Sequence, residues 1–367
     1  MGRRRKSKLS IGLAGGLTSV HTAFAGASLL IETYRQAGIG DQAERVLPQK
    51  RSPKGLTPGQ MVECVVVGSA LGMECLEDIE RLRQDQGLSG MLGYQPPAPE
   101  TARQWLDRFH EEALVADRPQ QGAFLPLESS GLAGLGEVDR RVVHAYVEAV
   151  HPGPAVTLDV DAHLVETTKA EAKVCYEGYK AFQPMIVSWA ETGLVLADEF
   201  RDGNVPASIH IKEQVDRAFE TLPPGPWTVQ VRSDSAAYEP EGVLDHWHGR
   251  GWRFAVSADL SPQLRAAVQA LPETAWQPWA HEAGGQVREW AEVPYVPSRR
   301  QESKEAPVYR YLAIRVRRQQ GALFDDGETV RHFAVVNQLV GPRWPDFAGV
   351  APGQTRHGGA RAPRAEE

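Results

Sequence analysis

Short apolar segments that alternate with helical segments between residues 156 and 271 constrain the fold of this chain most strongly. The run Val156–Asp161 alternates apolar and polar side chains, which is typical of a β-strand because successive side chains point to opposite faces. The run Ile209–Leu222 instead places Val215 and Phe219 on one side of a helix. In order, the segments predict three strands, a helix, a strand, a short helix, a strand and a helix.

This order predicts an α/β fold, and it matches a ribonuclease H-like mixed sheet with flanking helices. The predicted strands are residues 156–161, 183–190, 194–200, 227–234 and 252–257, and the predicted helices are residues 209–222, 243–248 and 261–271. Residues 289–336 are rich in strand-forming side chains. We expect them either to continue this domain or to form a β-rich insertion.

The first 118 residues predict an all-helical region that precedes the sheet. Helices are predicted at Ala23–Ala37, from Thr57-Pro58 onward, at Leu76–Arg83 and over the run ETARQWLDRFHEEAL. In the last of these, Trp105 and Phe109 form an apolar stripe that Leu106 extends. Arg103 and Arg108 point away from it. Arginines on the last helix of such a unit are compatible with DNA binding, but small helical bundles without DNA contacts show the same pattern.

The charge of the chain is uneven. The formal net charge of the 367 residues is −7, yet residues 1–54 contain ten Lys or Arg and three Asp or Glu. Four of these cations are Arg3, Arg4, Arg5 and Lys6. A basic arm on an acidic body fits a polyanionic partner such as DNA, and a solvated arm without a partner is the alternative.

The sequence favours a cytoplasmic, nucleoid-associated protein. Cys64, Cys75 and Cys175 form no Cys-x-x-Cys pair, and their odd number argues against a disulfide framework. The basic start and the run LSIGLAGGLTSVHTAFAG imitate a signal peptide, but a Gly-Gly pair and polar residues interrupt the apolar stretch. No apolar run reaches about eighteen residues, so no membrane span is expected.

Composition also predicts domain boundaries. Residues 1–118 form the expected helical DNA-binding region, and residues 119–150 form a linker rich in Pro, Gly and Ser with a lead-in helix at about Glu137–Val150. Residues 151–337 form the expected sheet domain. Residues 338–367 are rich in Gly, Pro, Ala and Arg, and we expect a disordered tail there.

Two aspartates end the first and fourth predicted strands. Asp161 closes the run VTLDVD, and Asp234 closes the run TVQVRSD. In a ribonuclease H-like sheet these strands are neighbours, so we expect the two carboxylates to lie side by side. Close carboxylates repel each other unless they are protonated or hold a cation, and oxygen ligands suit Mg²⁺ (or Mn²⁺). The pair predicts a metal site that can act on phosphodiesters, and the alternative is that each Asp caps a turn.

Long runs of the chain resemble a known family. The runs LDVDAHLVET, GYKAFQPMIVSWAETGLVLADEFRDGNVPA, VRSDSAAYE and WRFAVSADL are similar, in this order, to insertion-sequence transposases of DDE group 1, the family typed on insertion sequence 1380. The run VVVGSALGMECLEDIERLRQDQGL resembles that family's helical region, so the resemblance spans about residues 10–337. It implies a Mg²⁺-dependent homo-oligomeric enzyme that binds double-stranded DNA at terminal inverted repeats, cleaves the ends and joins them to target DNA.

The resemblance implies a first catalytic acid on the first strand. The family pattern Asp-Ala-Thr-Leu matches Asp161-Ala162-His163-Leu164, in which His163 departs from the family's Thr. Asp161 is therefore the implied catalytic residue and metal ligand. Asp159 remains its rival, because residues two apart lie on the same face of a strand.

The second implied acid is Asp234, which is likewise both catalytic and a metal ligand. Arg232, Ser233 and Ser235 flank it as in the family pattern, and we interpret them as positioning residues. Asp202, in the run RDGN, also falls in a family motif. We interpret it as a turn residue rather than a ligand.

The family's third acid, a Glu on a helix near the C-terminus, has no counterpart in the printed sequence. After Asn337 the chain continues as QLVGPRWPDFAGVAPGQTRHGGARAPRAEE, which has almost no helical periodicity. Shifted by one base from Trp344, however, its codons permit Arg-Ile-Ser-Leu-Glu-Trp-His-Arg-Gly-Lys and then a Glu-His segment with the family's spacing. We therefore expect a frame change near residues 337–344 and a loss of the third acid. The other candidate acids are Asp259, Glu289, Glu292 and Glu328.

Three functions follow as hypotheses. The first is a DNA transposase, made inactive in this copy by the missing Glu. The second is a non-catalytic DNA-binding repressor of related elements. The third is a ribonuclease H-like nuclease with another substrate, which metal-dependent cleavage without a preference for terminal repeats would reveal.

Overall fold

A computed structural model of the chain describes residues 22–50, 54–116, 118–119, 121–279, 286–301, 307–318 and 330–338. The fold consists of two compact units. The first comprises Met1–Pro152 with Thr221–Pro223, and the second comprises Gly153–Glu220 and Pro224–Glu367. The predicted basic arm of Arg3, Arg4, Arg5 and Lys6 lies outside the described residues, as do Glu328 and nearly all of the predicted tail.

The first unit is helical, as predicted. Its α-helices are α1 (Ala27–Gln36), α2 (Ile39–Val46), α3 (Pro58–Ala70), α4 (Ile79–Gln84), α5 (Gln86–Leu92), α6 (Pro99–Leu106), α7 (Glu112–Val115) and α8 (Ser130–Val150). Short 3-10 turns at Leu76–Asp78 and Asp107–Phe109 precede α4 and follow α6. Helix α3 begins as the sequence predicts, because the Thr57 side chain accepts a hydrogen bond from Gln60 N and the Gln60 side chain accepts one from Thr57 N.

Apolar side chains from several helices form the core of this unit. Trp105 and Phe109 are buried edge to face with their ring centroids 5.0 Å apart, as the predicted stripe requires. Leu106, which the sequence places beside them, is exposed instead. No helix among the described residues is long and apolar enough to span a membrane.

The last helix of the unit begins earlier than the sequence predicts. Helix α8 begins at Ser130, seven residues before Glu137, and Ser129 caps it by accepting a hydrogen bond from Leu132 N. The intervening residues are rich in Gly, which favours a linker by composition. Tertiary packing decides otherwise: a Cβ on Gly134 would lie 2.5 Å from Val46 O, so the small residue permits close contact between α8 and α2.

The described residues of the second unit contain the strands and four further helices. The strands are β1 (Ala155–Ala162), β2 (Val165–Glu166), β3 (Lys173–Val174), β4 (Lys180–Phe182), β5 (Met185–Trp189), β6 (Leu194–Glu199), β7 (Thr228–Ser233), β8 (Arg253–Ala258), β9 (Gln277–Pro278), β10 (Gln286–Val293), β11 (Arg310–Arg318) and β12 (Val330–Asn337). The helices are α9 (Ile211–Thr221), α10 (Asp245–Gly249), α11 (Pro262–Gln269) and α12 (Ser298–Gln301).

The main sheet is mixed, as the sequence predicts. Within the described residues it has nine strands in the order β6-β5-β1-β7-β8-β12-β11-β10-β9. Strand β7 runs parallel to both β1 and β8, and all other neighbours are antiparallel. Strands β9 to β12 extend the sheet beyond β8, so the β-rich segment continues the sheet. A separate three-stranded sheet, β2-β4-β3, was not predicted.

The two faces of the central strands differ in burial. Leu158, Val231 and Phe254 share one face and are fully buried, and Phe254 contacts Trp247 of α10. On the opposite face, Asp159 and Arg232 are only partly buried. This polar face leads to the strand ends where the predicted aspartates lie.

Candidate active site

Asp161 and Asp234 lie at the carboxyl ends of neighbouring parallel strands. The last residues paired between β1 and β7 are Val160 and Ser233, and each aspartate is the next residue along its chain. The two aspartates therefore occupy adjacent positions at this edge of the sheet. The sequence-based expectation that the first and fourth predicted strands are neighbours is thus confirmed.

Asp161 is exposed at this edge of the sheet. On its other side it is paired with Ile186 of β5, which in turn is paired with Asp198 of β6. Asp198 therefore lies at the same level and on the same face, but two strands away, at about 10 Å. Sequence reasoning did not single out Asp198, because only the register reveals its position.

Asp234 is held by the turn that follows β7. Its Oδ1 accepts a hydrogen bond from Ala236 N at 2.9 Å, and Ser235–Ala237 form a 3-10 turn behind it. The capping role that the sequence left open is therefore real. It engages one carboxylate oxygen and helps to fix the direction of the side chain.

Asp159 is engaged in an ion pair across the strands. Arg232 Nη2 donates to Asp159 Oδ2 at 2.7 Å, and the two residues are directly paired between β1 and β7. The guanidinium and the carboxylate thus neutralise each other one pleat before the strand ends. Asp161 has no part in this pair.

The predicted flanking residues of Asp234 lie in different places. Ser233 is buried on the opposite face with Val231, so its hydroxyl does not reach the face that carries Asp159. Ser235 is exposed at the start of the turn. Of the three predicted positioning residues, only Arg232 lies on the same face as the acids.

No group of three or more His, Cys, Asp or Glu side chains suited to a metal is present in the part of the chain that the structure describes. Asp259 is exposed and follows β8 at the same edge of the sheet. Strand β7 lies between β8 and β1, so Asp259 is two strands away from Asp161. Glu289 instead accepts hydrogen bonds from Arg315 at 2.9 Å, and Glu292 from Arg310 at 2.9 Å. These two acids neutralise arginines on β11.

The donor set of the pair fits a hard cation only in part. Asp161 and Asp234 supply carboxylate oxygens at adjacent positions, which suits Mg²⁺ or Mn²⁺. Such ions retain several waters and take further oxygens from substrate phosphates, so two protein ligands can suffice for weak binding. A tightly held pair of ions requires a closer group of carboxylates, and the described residues contain no such group of three.

The other predicted residues belong to other segments of the chain. Arg103 is exposed on α6 and forms an ion pair with Glu77 at 2.7 Å, and Arg108 is exposed in the following turn. The Arg103 pair lowers the pKa of Glu77. Asp202 forms an isolated bridge with Phe182, and its carbonyl accepts a hydrogen bond from Val205 N at 3.1 Å, consistent with a turn.

Comparison with known proteins identifies the family. The family model described as "transposase DDE domain group 1" matches residues 5–302, which is more than half of the chain and includes both aspartates. A search of curated proteins finds no match. The match nevertheless extends over the helical unit and the central strands alike, and the chain belongs to the transposase DDE domain group 1 family.

Proposed function

We propose that this chain is a DNA transposase of the insertion sequence 1380 type, which binds terminal inverted repeats and performs Mg²⁺-dependent (or Mn²⁺-dependent) cleavage and strand transfer. Its central strands form a ribonuclease H-like domain. The order β6-β5-β1-β7-β8, with only β5 antiparallel to its neighbours on both sides, supports this proposal. It gives three strands in meander order followed by two parallel ones, as that fold requires.

The placement of Asp161 beside Asp234 carries the proposal. The two carboxylates would hold a divalent cation, and the hydrogen bond from Ala236 N to Asp234 keeps one of them in a fixed direction. The Arg232–Asp159 pair orients the strand ends and keeps Asp159 away from the metal. When bound, such an ion would polarise the phosphodiester, so that water or a 3′-hydroxyl attacks phosphorus while the P–O bond to the opposite ester oxygen breaks.

The helical region of residues 1–118 is proposed to bind the terminal repeats, and residues 119–150 to join it to a catalytic domain at 151–337. The basic residues Arg3 to Lys6, Arg103 and Arg108 are the proposed phosphate contacts. Phosphate contacts predict a DNA affinity that falls linearly, on logarithmic axes, as salt rises. The active form is proposed to be a homo-oligomer that acts at the nucleoid.

This copy is proposed to be defective, because the third acid is replaced by an out-of-frame tail after Asn337. The partial exposure of the polar face supports this, since the side chains of Asp159 and Arg232 retain 45% and 21% of their exposure there. A helix bearing the missing Glu would cover such a face. With two of three ligands, we expect DNA binding with little or no strand transfer, because electrostatic stabilisation of the reacting phosphate dominates such catalysis.

The alternative is a DNA-binding repressor of related elements. It is favoured by one observation, the lack of a three-acid group among the described residues. Both functions require DNA binding. Only a transposase is expected to cleave DNA in a metal-dependent reaction once the shifted frame restores the third acid. The test therefore compares two forms of the protein.

The experiment resequences the gene across the codons for residues 336–344 and beyond, and expresses the chain as printed and with the shifted frame. Labelled terminal-repeat DNA is incubated with each protein and Mg²⁺, and products are separated on gels. We expect both proteins to bind the DNA, and only the frame-restored protein to join it to a target, with loss of joining in Asp161→Asn. A shifted frame that soon reaches stop codons would refute the frame change. If the 367-residue chain without the shifted frame joins the DNA to a target, the proposal that this copy is inactive is refuted.

A further inference from the structure

The three-stranded sheet β2-β4-β3, here called the small sheet, continues the β1–β5 hairpin past the edge of the main sheet that carries Asp161 and Asp234. Ala162 is paired with Met185 at the end of the main sheet, and His163 N donates to Pro184 O at 3.1 Å. Beyond this point Val165 of β2 is paired with Phe182 of β4. The small sheet therefore begins only a few residues from Asp161, on the side towards which β1 runs.

The turn between β3 and β4 forms the tip of this extension. Cys175 N donates to Tyr179 O at 2.8 Å, and Gly178 N donates to Cys175 O at 3.0 Å. Gly178 has a φ of 89°, which favours glycine, so the turn is sterically defined. The turn presents Tyr176 with 71% of its surface exposed, the largest fraction among the exposed aromatic side chains that are described.

The pKa of the Tyr176 phenol is raised, first by desolvation and then by Glu177, Cys175 and Asp234. The placement of the turn relative to the acids follows from the small sheet, which begins a few residues beyond Asp161. Tyr179 in the same turn differs. Desolvation, Glu177, Cys175 and Glu166 raise its pKa to about 12, and its side chain is partly buried whereas that of Tyr176 is exposed.

The chemistry of the turn favours a neutral ring over a phosphate as its ligand. Glu177 is anionic and exposed, and the nearby Lys180 Nζ donates to the carbonyls of Lys169 and Ala170, at 3.5 and 3.2 Å. An exposed aromatic face beside anionic side chains binds poorly to a DNA backbone. It can still stack on a base, because every nucleobase has an uncharged aromatic face.

We infer that Tyr176 stacks on an unpaired base at the end of the DNA and so positions the adjoining phosphodiester against Asp161 and Asp234. This inference rests on the proposed transposase function. Tyr176 acts as a positioning residue, through its ring and not through its hydroxyl. Tyr176→Phe therefore retains the role, whereas Tyr176→Ala loses it.

The test uses the full chain and two fluorescent DNA probes. One is a 24-base-pair duplex with a four-nucleotide single-stranded end that contains 2-aminopurine, and the other is the blunt duplex of the same sequence. Affinity and 2-aminopurine fluorescence are measured for the unchanged chain, Tyr176→Phe, Tyr176→Ala and Phe200→Ala. Phe200 is the matched control, because it is an aromatic residue of the same unit that is 62% exposed.

We expect the unchanged chain, Tyr176→Phe and Phe200→Ala to quench the fluorescence by stacking. Tyr176→Ala binds the overhanging duplex about 5- to 100-fold more weakly without quenching, and binds the blunt duplex unchanged. Equal affinity and quenching in Tyr176→Ala overturn the inference and leave the transposase proposal intact. If the unchanged chain binds neither probe, DNA binding itself fails, and both proposals are overturned.

Discussion

Arg232 Nη2 donates a hydrogen bond to Asp159 Oδ2 at 2.7 Å, across the paired strands β1 and β7. The sequence alone leaves Asp159 and Asp161 as rivals, because both lie on the same face of one strand. The ion pair separates their roles. Asp159 is neutralised by a cation within the sheet, and Asp161 lies one pleat further along, beside Asp234.

Replacing Asp159 by Asn should change stability little. The side chains of Asp159 and Arg232 are 45% and 21% exposed, so solvent screens the pair and its loss costs about 0.5–1 kcal/mol. Chemical denaturation followed by circular dichroism measures this cost. A loss above about 3 kcal/mol would instead mark a buried pair with no solvent screening.

Two substitutions of Asp234 should differ in their effect on folding. Asp234→Asn keeps an oxygen that can accept from Ala236 N, whereas Asp234→Ala removes this cap and should lower the free energy of unfolding by about 1 kcal/mol. The midpoints of urea denaturation compare the variants. Equal midpoints for Asn and Ala would show that the cap contributes nothing.

The buried Glu63 should be the most sensitive point of the helical unit. It is 3% exposed, and it accepts hydrogen bonds from Arg35 Nε at 2.7 Å and from the Tyr94 hydroxyl at 2.9 Å. Arg35→Met keeps the aliphatic stem but leaves the carboxylate without its cation. We expect a loss of about 2–3 kcal/mol, below that of a fully buried pair because Arg35 is half-exposed.

Arg45→Ala is the control for this prediction. Arg45 is exposed on α2 and bonds only to the nearby Gln42 among the described contacts, at 2.6 Å. Its loss should cost less than about 0.5 kcal/mol. If Arg35→Met and Arg45→Ala destabilise equally, the Glu63 network does not hold the unit together.

Stability should fall at alkaline pH. Burial, followed by the Glu63 charge, raises the pKa of both Tyr34 and Tyr94, and burial raises the pKa of Cys64 to about 12. A pKa that is higher in the folded state means that the folded protein favours the neutral form. The contribution is therefore complete below the unfolded pKa of about 8.5 for Cys and 10 for Tyr, and is lost as pH rises towards the folded values.

Unfolding free energies at pH 8, 9.5 and 10.5 should thus decrease, with a slope of up to about 1.4 kcal/mol per pH unit for each group that titrates. Tyr94→Phe should reduce this slope, since it removes one buried phenol. A stability that is flat up to pH 10.5 in the unchanged chain would contradict the prediction.

The sequence predicts the parts of the fold that local patterns specify. The Thr57-Pro58 start of α3 and the strand β1 follow from capping chemistry and from a period of two, and the structure confirms both. The neighbouring placement of β1 and β7 also follows, because few topologies suit that order of strands and helices. The family resemblance is confirmed at the level of a DDE transposase.

Other features depend on contacts that sequence patterns do not contain. Strands β2 and β3 have two residues each, too few for any periodicity, and pairing with β4 alone defines them. The early start of α8 depends on the close approach of Gly134 to Val46. The Asp159–Arg232 pair depends on register, which local sequence does not specify.

The most direct test of the proposed site is Mn²⁺ binding measured by electron paramagnetic resonance on the full chain, with Asp161→Asn, Asp234→Asn and Asp159→Asn as variants. We predict that Asp161→Asn and Asp234→Asn each weaken Mn²⁺ binding by at least about tenfold, and that Asp159→Asn changes it less than about threefold, since a lost ligand matters more than a lost outer partner. If Asp159→Asn abolishes binding while Asp161→Asn does not, Asp161 and Asp234 are not the metal pair.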